Sequence, residues 1–239
     1  MKKASVRSSH LSQRLHPVLE PRKSPVQARS AASVDAILEA TIQVLLEVGK
    51  ERLTTTKVAL RAGVSVGTLY QYFPNKSALL KAALKRHLDE VTEAIELVCH
   101  EQNGHSLEQM ATALLTRFLE AKLKDAKTSV ALYAVSSDVD GANIGREMGI
   151  RSSQAIAGML MTAKEELTAD AQLVASMLHG VMVGVSRRLL ESAAPEKQFE
   201  IVRREMIFLA CAYLNACSAR PHRRTREKVL AAATVSAGN

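Results

Sequence analysis

The chain has 239 residues, 47% of them hydrophobic, with no tryptophan and three cysteines; this is enough apolar content for one small and one larger folded unit. Cys99, Cys211 and Cys217 form no C-x-x-C pair and have no histidine at metal-finger spacing, which speaks against a disulfide frame or a zinc site, and no phosphate loop, dinucleotide glycine pattern or nucleophile elbow argues for an enzyme. The formal net charge of +8 is carried by the ends: residues 1–30 hold seven basic side chains and one acid (+6), residues 218–239 add +4, and the body between is left at −2, so the high isoelectric point is not by itself a sign of a nucleic-acid-binding fold.

Residues 1–30 contain Pro17, Pro21 and Pro25 among scattered serines and no sustained apolar period, and read as a basic disordered arm. No apolar core of a signal peptide follows. The longest mostly apolar stretch, Val174 to Val185, is interrupted by Ser176 and His179 and is too short to span a bilayer, so a cytoplasmic location without a membrane partner is expected.

The first helix is predicted over 34–48. Ser33 can cap it, Asp35 sits in the first turn, and Ile37, Thr41, Val44, Leu45 and Val48 form one stripe. Two short helices follow, near 55–62 and 66–73. Thr54 can cap the first of them, Val58, Ala59 and Ala62 give it an apolar side, and Gly63 suits the left-handed turn that ends it. Ser65 can cap the second, giving the three-to-four-residue connection of a helix-turn-helix. On that second helix Leu69 and Phe73 share the inner face, while Gly67 and Gln71, roughly 200° around the turn, face outward. Pro74 stops the helix and Asn75 or Ser77 can cap the next. Thr55, Thr56, Thr68, Tyr70, Tyr72 and Lys76 cluster on or beside the outward face and are the groups that hold a protein on a phosphate backbone. The plainer reading is an αα-hairpin of a helical protein with tyrosines at its surface.

Residues 34–80 resemble the DNA-binding domain of the tetracycline-repressor (TetR) family of bacterial regulators. The likeness runs from Ile37-Leu38-Glu39-Ala40 and Glu47-Val48-Gly49 through Val58-Ala59, Ala62-Gly63-Val64-Ser65, Gly67-Thr68-Leu69-Tyr70, Tyr72-Phe73 and Asn75-Lys76 to Leu79-Leu80, about one fifth of the chain. The resemblance implies an all-α fold of about nine helices, with an N-terminal three-helix DNA-binding domain (31–76) and a larger helical effector-binding and dimerisation domain (77–218); the charge pattern adds a basic flexible tail (219–239). The resemblance also implies a dimeric regulator, a repressor of a partly palindromic operator in double-stranded DNA, released by a small, mainly apolar effector. Gly67, Gln71 and Thr68, with Val66 opening the helix, are the candidates for base edges, since glutamine can pair bidentately with adenine; Thr55, Thr56, Tyr70, Tyr72 and Lys76 are candidates for the backbone. Arg29 is the arm residue nearest to a minor groove, the alternative being a solvated tail that adds only salt-sensitive attraction.

Further helices are predicted near 76–100, 106–122, 126–136, 142–166, 169–192 and 196–218, with 136–142 as the clearest loop and Ala194-Pro195 as the last break. Leu80, Leu84, Leu88, Val91 and Ile95 mark the inner side of the long linking helix. In the last two helices, Ser176, Gly180 and Gly184 place small side chains on one face, and Phe199, Val202, Met206, Leu209 and Tyr213 repeat at alternating three and four. Both stripes suit a homodimer interface, as the resemblance implies, or the chain's own core. An effector pocket is expected from the resemblance alone, with Met110, Phe118, Tyr133, Met148, Met159, Met177, Met182 and His179 as candidate lining, and Arg117, His179 and Arg187 able to anchor an anion if buried. No cofactor, metal or catalytic residue is assigned. The rival readings are a helical protein-interaction module and a regulator or activator that binds DNA without a ligand.

Overall fold

The structure, a computed structural model, describes residues 28–218. The expectations for the arm, for the Arg29 side chain and for the tail beyond residue 218 lie outside the described residues. Within them the chain is helical: α1 (Ala28–Arg52), α2 (Thr55–Arg61), α3 (Val66–Tyr72), α4 (Lys76–Glu101), α5 (Leu107–Leu123), α6 (Ala126–Val135), a 3-10 turn (Ser136–Asp138), α7 (Gly141–Leu160), α8 (Ala171–Leu190) and α9 (Pro195–Ala216). No strand occurs among the described residues, only an isolated bridge between Leu167 and Ser218.

The short helices are bounded as their cap residues dictate. Thr54, Ser65 and Asn75 each accept a hydrogen bond from the amide three residues on, at 3.3, 2.9 and 2.8 Å, satisfying a donor that the first helical turn leaves free. Gly63 has φ 67°, where a side chain would clash with the backbone, and the chain turns there from α2 toward α3. Ser106 and Gln109 form a reciprocal capping box at the start of α5.

Three boundaries differ from the sequence reading. Helix α1 begins at Ala28, so Ser33 and Asp35 lie inside it rather than at its start; the Ser30 hydroxyl sits 3.0 Å from the Tyr72 hydroxyl, tying the added turns to α3. Its axis breaks at Gly49 (φ 74°) before a last turn that ends at Arg52. Helix α7 ends at Leu160 instead of running to 166, and the connection to α8 is fastened elsewhere: the Thr168 amide donates to the Cys217 carbonyl at 2.7 Å. The stretch 136–142 is a tight corner in which an added Cβ at Gly141 would lie 2.6 Å from the Ser136 Cβ, so the corner closes only around glycine.

Two cores form. The first holds the expected α1 residues Ile37, Val44 and Leu45, with Val58, Leu69 and Phe73 of the small helices and Leu80 and Leu84 of α4, and continues without interruption into Leu132, Val135, Val139, Ile144 and Met148. The second fills the body between α4, α5, α7, α8 and α9. Arg151 of α7 clamps α4 across both, with the Glu96 carboxylate at 2.8 and 3.1 Å and Asp89 at 2.9 Å. At the other end of that seam Lys50 of α1 pairs with Asp138 of the 3-10 turn at 2.9 Å, and the contact lowers the Asp138 carboxyl pKa and raises that of Lys50. Cys99 and Cys217 are buried, and burial pushes the Cys99 thiol up to about 12, as suits an inert packing residue.

Candidate nucleic-acid interface

Helix α3 buries Leu69 beneath it and presents Val66, Gly67, Tyr70 and Gln71 to solvent, so the outward face is the one that the spacing predicts. Beside it the Tyr70 hydroxyl lies 3.0 Å from the Thr55 Oγ1, joining the N-terminus of α2 to the middle of α3 in one patch of hydroxyls that includes exposed Thr56. The Thr68 hydroxyl is 2.8 Å from that of Ser65 and so belongs to the capping arrangement of α3.

Two expected backbone contacts stand differently. Tyr72 is half-buried and packs against the first core with its hydroxyl toward Ser30, so it supports α3 from behind. The Lys76 ammonium donates to the Lys50 carbonyl at the end of α1, where a cation meets the negative end of a helix, and is not held out toward solvent. Sequence reasoning passed over Lys57, which is exposed on α2 with its ammonium 3.0 Å from the Arg52 carbonyl. The signal for it was its place one residue beyond Thr56, on the solvent side of a helix whose inner side is Val58 and Ala59.

Behind this module lies a cavity of about 440 Å³ between α4 and α7. Leu84, Leu88, Val91 and Ile95 of α4 form one wall, and Phe118, Tyr133, Met148 and His179 of the expected lining residues reach it. Met110, Met159 and Met182 do not, because they are fully packed in the second core; Met177 is exposed on α8. Arg187 borders the cavity with its guanidinium 2.9 Å from Glu191, whereas Arg117 lies outside it on α5. A larger open groove along α5, about 980 Å³, is edged mainly by polar and charged side chains such as Glu108, Gln109 and Glu120 and offers no apolar enclosure.

The sequence reading missed Lys122. It is only 3% exposed, donates a hydrogen bond to the Tyr133 hydroxyl, and sits 5.0 Å from the Tyr133 ring centre and 5.9 Å from that of Phe118. Its signal was a lysine on the apolar stripe of α5, four residues after Phe118. Two histidines stay neutral around it. Burial, reinforced by the Lys122 charge, lowers His87 to about 4 and lowers His179 as well. His87 Nε2 is 2.9 Å from the Ser129 hydroxyl, which itself donates to the Lys122 carbonyl at 3.2 Å.

The outer faces of α8 and α9 resolve the two apolar stripes. Ser176, Gly180 and Gly184 are exposed, together with Leu173 and Met177. On α9 Met206 is buried in the chain's own core and Phe199, Val202 and Tyr213 pack partly against it, so that stripe, Leu209 excepted, turns inward. The apolar side chains that face outward are Ile201, Phe208 and Leu209.

Residues 37–83 match the family profile described as bacterial regulatory proteins, tetR family, and residues 106–214 match that of the tetracyclin repressor-like C-terminal domain. The chain belongs to the TetR family. It is 31% identical over 103 residues to the HTH-type transcriptional regulator BetI of Serratia proteamaculans, a match that spans 42% of this chain and 52% of that protein. The BetI of Escherichia coli K12 is 26% identical over 132 residues, 55% of this chain and 68% of its own length. The chain thus spans about half the length of the first of these relatives. In fold it resembles a structure from Mesorhizobium loti assigned to the TetR-family transcriptional regulators, with a TM-score of 0.65 at 20% identity, covering 80% of this chain and 98% of that one. As a TetR-family regulator the protein carries its helix-turn-helix in α2 and α3, and its all-α architecture is that of the family.

Proposed function

We propose that this regulator is a cytoplasmic, homodimeric repressor of a partly palindromic operator, and that a small, mainly apolar molecule entering the α4–α7 cavity releases it. The observation that carries the reading is the position of the cavity. One wall is α4, which runs directly on from the helix-turn-helix, and the opposite rim includes Ser136 and Ser137, next to the Asp138 that pairs with Lys50 of α1. A ligand that favours a different α4–α7 spacing therefore acts on both attachments of the DNA-binding helices at once, and by linkage it weakens DNA binding by the same factor as DNA weakens ligand binding.

In this reading Gly67 and Gln71 approach base edges, with Val66 and Thr68 beside them, while Thr55, Thr56 and Tyr70 meet phosphates. Dimerisation uses the outward face of α8 and α9, where Ser176, Gly180 and Gly184 let backbones approach and Phe208, Leu209 and Ile201 supply apolar area. Two copies then present two recognition helices to half-sites about 34 Å apart or a multiple of that. The test is an electrophoretic shift with DNA from upstream of the protein's own gene in excess nonspecific competitor. A retarded band that competitor does not remove is expected, and its absence at micromolar protein would refute the reading.

A further inference from the structure

We propose that the α4–α7 cavity selects a small amphipathic anion, an organic carboxylate on an apolar body, and that the Lys122 ammonium binds its charged head. This rests on the effector reading above and names the chemistry of the effector.

Lys122 is withdrawn from water, and its one hydrogen-bond partner is a neutral hydroxyl, that of Tyr133. The ring faces of Tyr133 and Phe118 lie near enough to attract the cation but do not cancel its charge. None of the described carboxylates forms an ion pair with it. A buried charge left in this state is costly and normally has a counter-charge. The cavity supplies none from its own walls: Lys122 and Arg187 are among the lining residues, and no aspartate or glutamate is. Arg187 at the border is already matched by Glu191, which leaves Lys122 as the unmatched charge. The neutral state of His87 and His179 removes any further cation from the neighbourhood without supplying an anion.

The same walls decide against other ligand classes. A cationic ligand would meet unopposed positive charge, and a neutral one would leave the ammonium uncompensated. The α4 side of the enclosure is mainly apolar, with Leu84, Leu88, Val91 and Ile95 along it and Met148 opposite, and Thr92, Ser136, Ser137 and Ser152 add only neutral hydroxyls. At ~30 Å³ per water-sized unit, 440 Å³ admits roughly fifteen non-hydrogen atoms. The ligand that fits has its head beside the Lys122–Tyr133 pair and a tail of about ten atoms along α4.

The experiment titrates the full-length protein calorimetrically with two matched series: octanoate, 1-octanol and octylamine, and 4-phenylbutyrate, 4-phenylbutanol and 4-phenylbutylamine. In at least one series the carboxylate is expected to bind at least tenfold more tightly than its alcohol, and the amine to bind more weakly than either. Lys122→Met is expected to abolish that preference while keeping the helical circular dichroism, and Lys122→Arg to retain it; should Lys122→Met fail to fold, Tyr133→Phe, which leaves the charge and removes the hydroxyl beside it, is expected to lower carboxylate affinity without changing alcohol affinity. The proposal is overturned if no carboxylate binds, if in neither series the carboxylate binds at least tenfold more tightly than its alcohol and its amine, or if the preference survives in folded Lys122→Met. Adding the bound carboxylate to the operator shift separates the two readings: a carboxylate that binds through Lys122 yet leaves the shifted band intact upholds the ligand chemistry and refutes release.

Discussion

Protonation of His87 should set how this regulator responds to acid. Its Nε2 faces a Ser129 hydroxyl whose own proton is given to the Lys122 carbonyl, so Nε2 carries the hydrogen of a neutral ring. Folding lowers the His87 pKa from 6.5 to about 4, first because burial disfavours the charged ring and second because Lys122 repels it. The unfolded chain therefore binds more protons than the folded one between these two values, and stability falls as the pH drops through that window. A shift of this size removes about 2 kcal/mol between about pH 7 and pH 5. The perturbation is His87→Gln, whose amide can still donate to Ser129 and does not titrate. Urea unfolding at both pH values, at one protein concentration because association adds to apparent stability, should show the wild type losing about 2 kcal/mol more than the variant. His179 is lowered in both proteins and cancels in the comparison. Parallel losses in the two proteins would refute the assignment of the acid sensitivity to this ring.

Three further outcomes are expected. Gln71→Ala should flatten discrimination between operator variants by about 1–3 kcal/mol at the contacted base while leaving nonspecific affinity and its salt slope unchanged, as read by competition binding. Gly63→Ala forces a side chain into φ 67° and should lower stability by about 1–2 kcal/mol, measured by thermal or urea unfolding, with no change in helix content. Phe208→Glu, placed on a side chain 71% exposed in the single chain, should weaken self-association by about 2 kcal/mol or more, and sedimentation equilibrium that still shows the wild-type assembly would exclude this face as the interface.

The helix-turn-helix was legible because its determinants are local. Thr54, Gly63 and Ser65 bound two seven-residue helices and Asn75 opens α4, through bonds that span three residues, and no distant contact overrides them. The start of α1 was not legible for the opposite reason: its extra turns are tied through Ser30 to Tyr72, forty-two positions away, and nothing at Ala28 announces a cap. Helix α9 misled because it is apolar on two sides. Phe199, Val202 and Met206 make one stripe and Ile201, Phe208 and Leu209 another, and a period of 3.6 residues does not say which meets the chain's own core. The cavity shows a similar limit. Apolar spacing marks residues that leave water but not those beside empty space, so Met110 and Met159 looked as good as Met148. Lys122 was hidden by its type, since lysine is expected at the surface and its burial appears only once Phe118 and Tyr133 are seen around it.

The continuous first core has a consequence for how this protein can be divided. Met148 belongs at once to the core shared with the DNA-binding helices and to the wall of the cavity, and Leu132, Val135, Val139 and Ile144 accompany it in that core. A fragment ending at residue 76 would expose the apolar undersides of α1 and α3, and a chimera joined there would pair them with a foreign α6–α7 corner. Exchange of effector specificity with a relative therefore calls for a graft that keeps residues 132–148 with the DNA-binding helices, so the seam for engineering runs through space rather than at a point along the chain.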